Sequence, residues 1–251
     1  MSPIQTSTTP SQRHRRFRPI LLLLFSIFII VIVLSIFLRL QAAVFARKAS
    51  SIVSGLSTLR VGTTTRAEAL SRIPTLKASG MGPYGAPLCN ADECAETGIP
   101  NSALSDAVLL PIARTGNRTL VSILSWLGFR DWSLDTYVNF SSGKVSYLSY
   151  HMMVYTAHFE ELGNPDVVMV EVSSKAHADA KDSASSPNDE DPFHVSPSRR
   201  SPSQSVGITF TPDAPSGLVT RAFDLKLRCL WSFAGCRTWN QLLPAVEDRS
   251  Q

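Results

Sequence analysis

Residues 132–155 read WSLDTYVNFSSGKVSYLSYHMMVY, and the period of this stretch decides the fold class. Trp132, Leu134, Thr136, Val138 and Phe140 alternate with Ser133, Asp135, Tyr137 and Asn139. That is the two-residue repeat of a strand with one buried face. Ser141-Ser142-Gly143-Lys144 supplies a turn, and Val145 to Tyr155 returns as the second arm of a hairpin.

Outward from the hairpin, Val167 to Val172 is apolar on both sides and predicts a central strand. Val206 to Phe210 predicts another. A last strand is expected where Val219, Phe223, Leu225, Leu227 and Cys229 stand against Thr220, Asp224, Lys226 and Arg228. Helices are expected at three places. Thr65 with Glu68 three positions later forms a capping box, and Pro74 stops the short helix that follows. Thr119 to Leu127 carries Leu120, Ile123, Leu124 and Leu127 on one face and ends at Gly128. Residues 237–243 make a short terminal helix that packs Trp239 and Leu242. Residues 75–101, rich in Gly and Pro, read as loop. About five strands and two or three helices, with no regular βαβ alternation, predict an α+β fold with a mainly antiparallel sheet.

The N-terminal part has a different composition. Pro19 to Leu38 is a 20-residue run without charge, interrupted only by Ser26 and Ser35. As a helix it spans about 30 Å, the thickness of a bilayer's hydrocarbon core. It is also longer than the apolar core of a signal peptide. Residues 19–38 are therefore expected to be a single-pass transmembrane anchor, and the lipid bilayer is the first expected partner. Arg13, Arg15, Arg16 and Arg18 precede the run closely, whereas Arg39, Arg47 and Lys48 follow it more sparsely. The denser cluster predicts a short cytoplasmic tail over residues 1–18 and an extracytoplasmic C-terminal domain. Residues 39–60, with Leu40, Ala43, Val44, Ile52, Val53 and Leu56, are expected to continue as a juxtamembrane helix.

The formal charge of +4 belongs to the same end. Residues 1–67 hold nine of the 24 Lys and Arg and none of the 20 Asp and Glu, so the remainder carries 15 basic against 20 acidic residues. A nucleic-acid-binding domain needs the opposite distribution, and no nucleic-acid partner is expected. Residues 174–204 hold eight Ser, four Pro and the run Asp189-Glu190-Asp191, with Phe193 and Val195 as the large apolar residues. Such a segment buries too little to offset its ordering entropy, and a disordered polar insert is expected there. The extracytoplasmic domain is then built from residues 61–173 and 205–245.

Gly80-Met81-Gly82-Pro83-Tyr84-Gly85 matches G-x-G-x-x-G, but no strand precedes it, and Pro83 and Pro87 oppose the helix a dinucleotide site requires. Cys89 and Cys94, and Cys229 and Cys236, are spaced more widely than zinc knuckles or a redox C-x-x-C, and they read as two local disulfides. His151 and His158 lie on the hairpin, and His177 and His194 in the polar insert. Asn117-Arg118-Thr119 and Asn139-Phe140-Ser141 fit the glycan acceptor pattern. No G-x-S-x-G, H-E-x-x-H, P-loop or EF-hand spacing occurs, so catalytic residues are not assigned, and no cofactor or metal is expected. The expected function is that of a membrane-anchored extracytoplasmic binding or structural domain, with an envelope or lumenal protein as a second partner. The alternatives are a membrane-tethered hydrolase assembled from distant residues, and a reversed topology that makes the insert a cytoplasmic regulatory segment.

Overall fold

The computed structural model describes residues 13–78, 93–100, 107, 108, 111, 112, 115, 117–160, 164–174, 191–200 and 203–249. In chain order these form α1 (Arg13–Ser57), α2 (Arg66–Arg72), β1 (Lys77–Ala78), β2 (Cys94–Ile99) and α3 (Arg118–Leu127). They continue as β3 (Trp132–Ser141), β4 (Lys144–Glu160), β5 (Asn164–Ser174), β6 (Phe193–Arg200), β7 (Ser203–Phe210) and α4 (Ser216–Ala222). Turns of 3-10 helix follow at Leu227–Trp231, Trp239–Gln241 and Pro244–Arg249.

The hairpin lies at the middle of the sheet. Ser142 (φ 52) and Gly143 (φ 74) adopt the paired positive φ of a type I′ turn, whose twist matches the strands it joins. β3 and β4 pair antiparallel, with a register shift between Asn139 and Phe140 that leaves Ser146 as the extra residue of a bulge. The full sheet has seven strands in the order β1-β2-β3-β4-β5-β7-β6. Every neighbouring pair is antiparallel except β5 and β7. The fold is α+β with a mainly antiparallel sheet, and it has seven strands where about five were expected.

Both additional regions of pairing have a physical reason. β2 has little intrinsic strand preference, yet six residues from Cys94 to Ile99 satisfy the free edge of β3, and Thr136 Oγ1 donates to Thr97 O (2.8 Å). β6 corrects the expected disorder of 174–204 over its last third. Phe193 pairs with Phe210 and is buried, while Pro197 is tolerated because β6 is an edge strand with a partner on one side only. Residues 175–190 of the expected insert lie outside the described residues. A second correction concerns the expected strand at Val219–Cys229. It is α4 followed by a 3-10 turn, because Leu218, Val219, Ala222 and Phe223 bury one face at helical spacing behind Pro215.

The other elements follow their local signals. Thr65 caps α2 in a full capping box with Glu68. α3 begins at Asn117, whose side chain accepts from Leu120 N (3.0 Å), and ends at Gly128 in the left-handed region (φ 110).

α1 runs 45 residues without a break. Its first half, from Ile20 to Phe37, is largely exposed. From Leu38 onward Ala42, Phe45, Ala46, Ala49, Val53 and Leu56 are buried at the three- and four-residue spacing of one helical face. The juxtamembrane helix expected over 39–60 is thus the rear half of one rod, ending at Ser57, and it forms part of the core. Phe45 packs on Trp132 at the start of β3 (ring centroids 5.2 Å), and Gly62 N donates to Val145 O near the hairpin turn (2.7 Å). The rear of the rod and the turn that follows it therefore lie along the hairpin. Helices and turns cover this face of the sheet, and Tyr150 OH reaches through to Ala222 O (2.6 Å).

Candidate functional site

The opposite face of the sheet carries half-buried polar side chains in rows set by the register. Gly98, Asp135, His151, Glu171 and Gly207 lie side by side across five strands. The adjacent row is Glu96, Tyr137, Ser149, Ser173 and Thr209. Side chains directly opposite one another across strands are about 5 Å apart at Cβ, close enough to interact strongly. His151 is therefore flanked by two carboxylates, and the row ends in a glycine on each side, which keeps the face shallow there.

A cleft of about 300 Å³ opens beside this row, lined by Thr75, Lys77, Glu96, Gly98, Asp135 and Tyr137. Burial raises the Asp135 carboxyl above the usual carboxylate range, with Glu96 adding to the effect and His151 opposing it. Burial lowers the His151 imidazole against the pull of Glu171 and Asp135. Burial, then Asp135 and Glu96, raise the Tyr137 phenol. Burial in the row thus disfavours the charged forms of both His151 and Asp135. Ser149 and Ser173, in the adjacent row, hydrogen-bond the Tyr147 phenol.

A second constellation sits at the other end of α1's buried stripe. Arg130 is buried, and burial first, then Arg39 and Arg237, lower its pKa to about 10. Its Nη1 donates to Leu230 O (3.2 Å) and Ser232 O (2.7 Å), and its Nη2 to Phe233 O (2.8 Å). Arg39 Nη1 takes Trp231 O (2.6 Å), and Arg39 Nη2 takes Trp126 O (2.9 Å) at the end of α3. Two guanidiniums thereby satisfy the free carbonyls at the end of the Leu227–Trp231 turn, where a cation is also favoured electrostatically. Arg39 lies over the Phe233 ring (3.7 Å), and Phe233 meets Trp126 (5.5 Å).

Cys229 and Cys236 bracket this loop at disulfide distance, with Cα atoms 4.9 Å apart. Gly235 (φ 72) lets the chain close over the Arg130 guanidinium, where a Cβ would come within 2.9 Å of Cζ. Cys94 is buried at the start of β2 and disulfide-bonded; Cys89 and the glycines 80–85 lie outside the described residues. His194 falls in β6, His158 in the last stretch of β4, and His177 lies outside the described residues. Asn117 is the α3 cap, and Asn139 lies within β3. Among the described residues no group of three or more His, Cys, Asp or Glu is arranged to hold a metal ion. Sequence reasoning passed over Asp135, Glu171, Arg39 and Arg130. The available signal for the last was a charged pair, Arg130-Asp131, set between a helix stop and a buried strand.

No family model, curated protein or solved structure matches the chain.

Proposed function

We propose that this protein is a single-pass, membrane-anchored domain, with its N-terminus cytoplasmic and its C-terminal domain outside, that binds a protein partner in the envelope or lumen. The observation that carries the reading is the sheet face that no helix covers among the described residues, where Asp135 and Glu171 flank His151 and Asp135 and Glu96 line an open cleft. A shallow acidic surface of this kind suits a basic or hydrogen-bonding segment of a partner better than an enclosed substrate. The Pro19–Leu38 run supports the anchor, being the one stretch among the described residues long and apolar enough to cross a bilayer. The Cys229–Cys236 pair supports an oxidising compartment for the domain. Protease added to sealed vesicles of known sidedness should remove the C-terminal domain from the outer face. Its protection in right-side-out vesicles reverses the topology.

A second reading, a tethered hydrolase, draws on His151 between two carboxylates. Its weakness is the nucleophile, since Ser149 is turned to Tyr147. Hydrolysis of simple esters by the purified chain, abolished in His151→Gln, would favour it over binding.

A further inference from the structure

We propose that α3 and the Cys229–Cys236 loop form a second membrane contact, seated in the headgroup layer of the same bilayer that α1 crosses. The proposal rests on the anchored reading of α1 but is independent of which side the domain occupies.

The observation behind it is where an exposed apolar patch sits along α1. Leu120 and Ile123 on α3 are exposed, Trp126 is 57% exposed, and Phe233 beside it 60%, with Trp231 partly so. An aromatic loop and a helix face of this kind form a contiguous patch that water does not favour. Its position is fixed by Arg39. That residue follows directly on Leu38, the last of the apolar run, and holds the backbone of both Trp231 and Trp126 within 3 Å. If residues 19–38 span the hydrocarbon core, the backbone of both tryptophans stands near its boundary with the headgroups. Indole and phenyl rings on an amphipathic support are enriched at this level.

The depth agrees as well. Leu124 and Leu127, on the inner side of α3, pack with Leu34 and Leu38 of α1. Leu34 lies one turn inside the apolar run, about 6 Å below Leu38 along the helix. A helix lying in the interface buries its apolar face about 5–10 Å deep. Gly128 lies against α1 at this level, the site where its Cβ would stand being in van der Waals contact with Leu38 Cβ (3.4 Å) and Ser35 O (3.7 Å). A second copy of the chain or an unrelated protein is a weaker occupant, because the patch is continuous with a surface that is already in lipid.

The distribution of tryptophan makes the test direct. The chain has four, at positions 126, 132, 231 and 239, and none lies in α1. Trp132 and Trp239 are buried. The full-length chain is reconstituted into phosphatidylcholine vesicles whose acyl chains are brominated either near the headgroup or near the chain end, and tryptophan emission is recorded. We expect stronger quenching by headgroup-proximal bromine, and loss of most of that quenching in the Trp126→Phe/Trp231→Phe variant. Unquenched emission from a chain that floats with the vesicles and resists alkaline carbonate overturns the seat and leaves the anchor standing. Quenching that persists in the double variant also overturns it. A chain that does not float overturns the anchored reading and the seat together. The wild-type measurement needs no substitution, so a variant that fails to fold does not shelter the proposal.

Discussion

Arg130 carries its charge into the interior and is held there by carbonyl oxygens of one loop, those of Leu230, Ser232 and Phe233. Replacing it with Met keeps much of the volume and leaves those acceptors without their donor. The cost is expected to be about 3 kcal/mol, read as a lower denaturant midpoint at unchanged slope. Gly235→Ala should cost about 1–3 kcal/mol by the same measurement, because it combines a positive φ with a clash against the Arg130 guanidinium. His151 makes stability depend on pH. Its folded value is depressed, so the unfolded chain binds the proton more readily. The stability it contributes is complete above the unfolded value of about 6.5 and is lost as pH falls through the folded value. Thermal unfolding midpoints from pH 7.5 down to pH 5 should fall for the native chain and fall less for His151→Asn. Asp135 has the opposite sign: its contribution is complete below about 3.9 and is lost as pH rises through its raised folded value. Asp135→Asn is therefore expected to raise the midpoint at neutral pH, a cost the native residue bears as binding residues often do.

Among the elements, β6 changes what can be removed from the chain. Deleting 174–204 strips β7 of its outer partner and takes Phe193 from the core. That deletion should lower the unfolding midpoint sharply, and Phe193→Ala alone should cost about 3–5 kcal/mol. Shortening confined to 175–190 should leave cooperative unfolding intact, since each halving of loop length alters closure by only about 0.6 kcal/mol. The contrast shows where composition stops being informative. Eight Ser and four Pro describe a segment that does not fold alone, but an edge strand needs only one anchoring aromatic and a neighbour with free backbone groups. The elements that carry their own instructions were legible: the capping box at Thr65, the Gly128 stop, the Ser142-Gly143 turn. The strands that depend on a distant edge, β2 and β6, were not. The polar row was hidden for a sharper reason. Counting pairs outward from the turn places Asp135 opposite Tyr150, on the buried face. Only the bulge at Ser146 moves the register by one and brings Asp135 beside His151.

At the scale of the molecule, the continuity of α1 decides how the domain is mounted. Inserting one Ala between Arg39 and Leu40 turns the front of the rod by about 100° relative to the rear. The buried stripe from Ala42 to Leu56 is untouched, so the domain should stay folded. Arg39 would leave Trp231 O and Trp126 O, and amide hydrogen exchange across 229–236 should accelerate; unchanged exchange would show that Arg130 holds the loop alone. A domain on a flexible stalk samples every heading, and its partner pays in orientation each time they meet. A rod that enters the core removes that freedom before any encounter. If residues 19–38 span a bilayer, the packing of Phe45 on Trp132 and of Gly62 on Val145 would stand the sheet upright on it rather than across it. Its acidic face would then look sideways along the membrane. Partners that share the bilayer would find it by lateral diffusion in two dimensions, already at the right height, whereas those arriving from bulk solvent would have to come in along the surface.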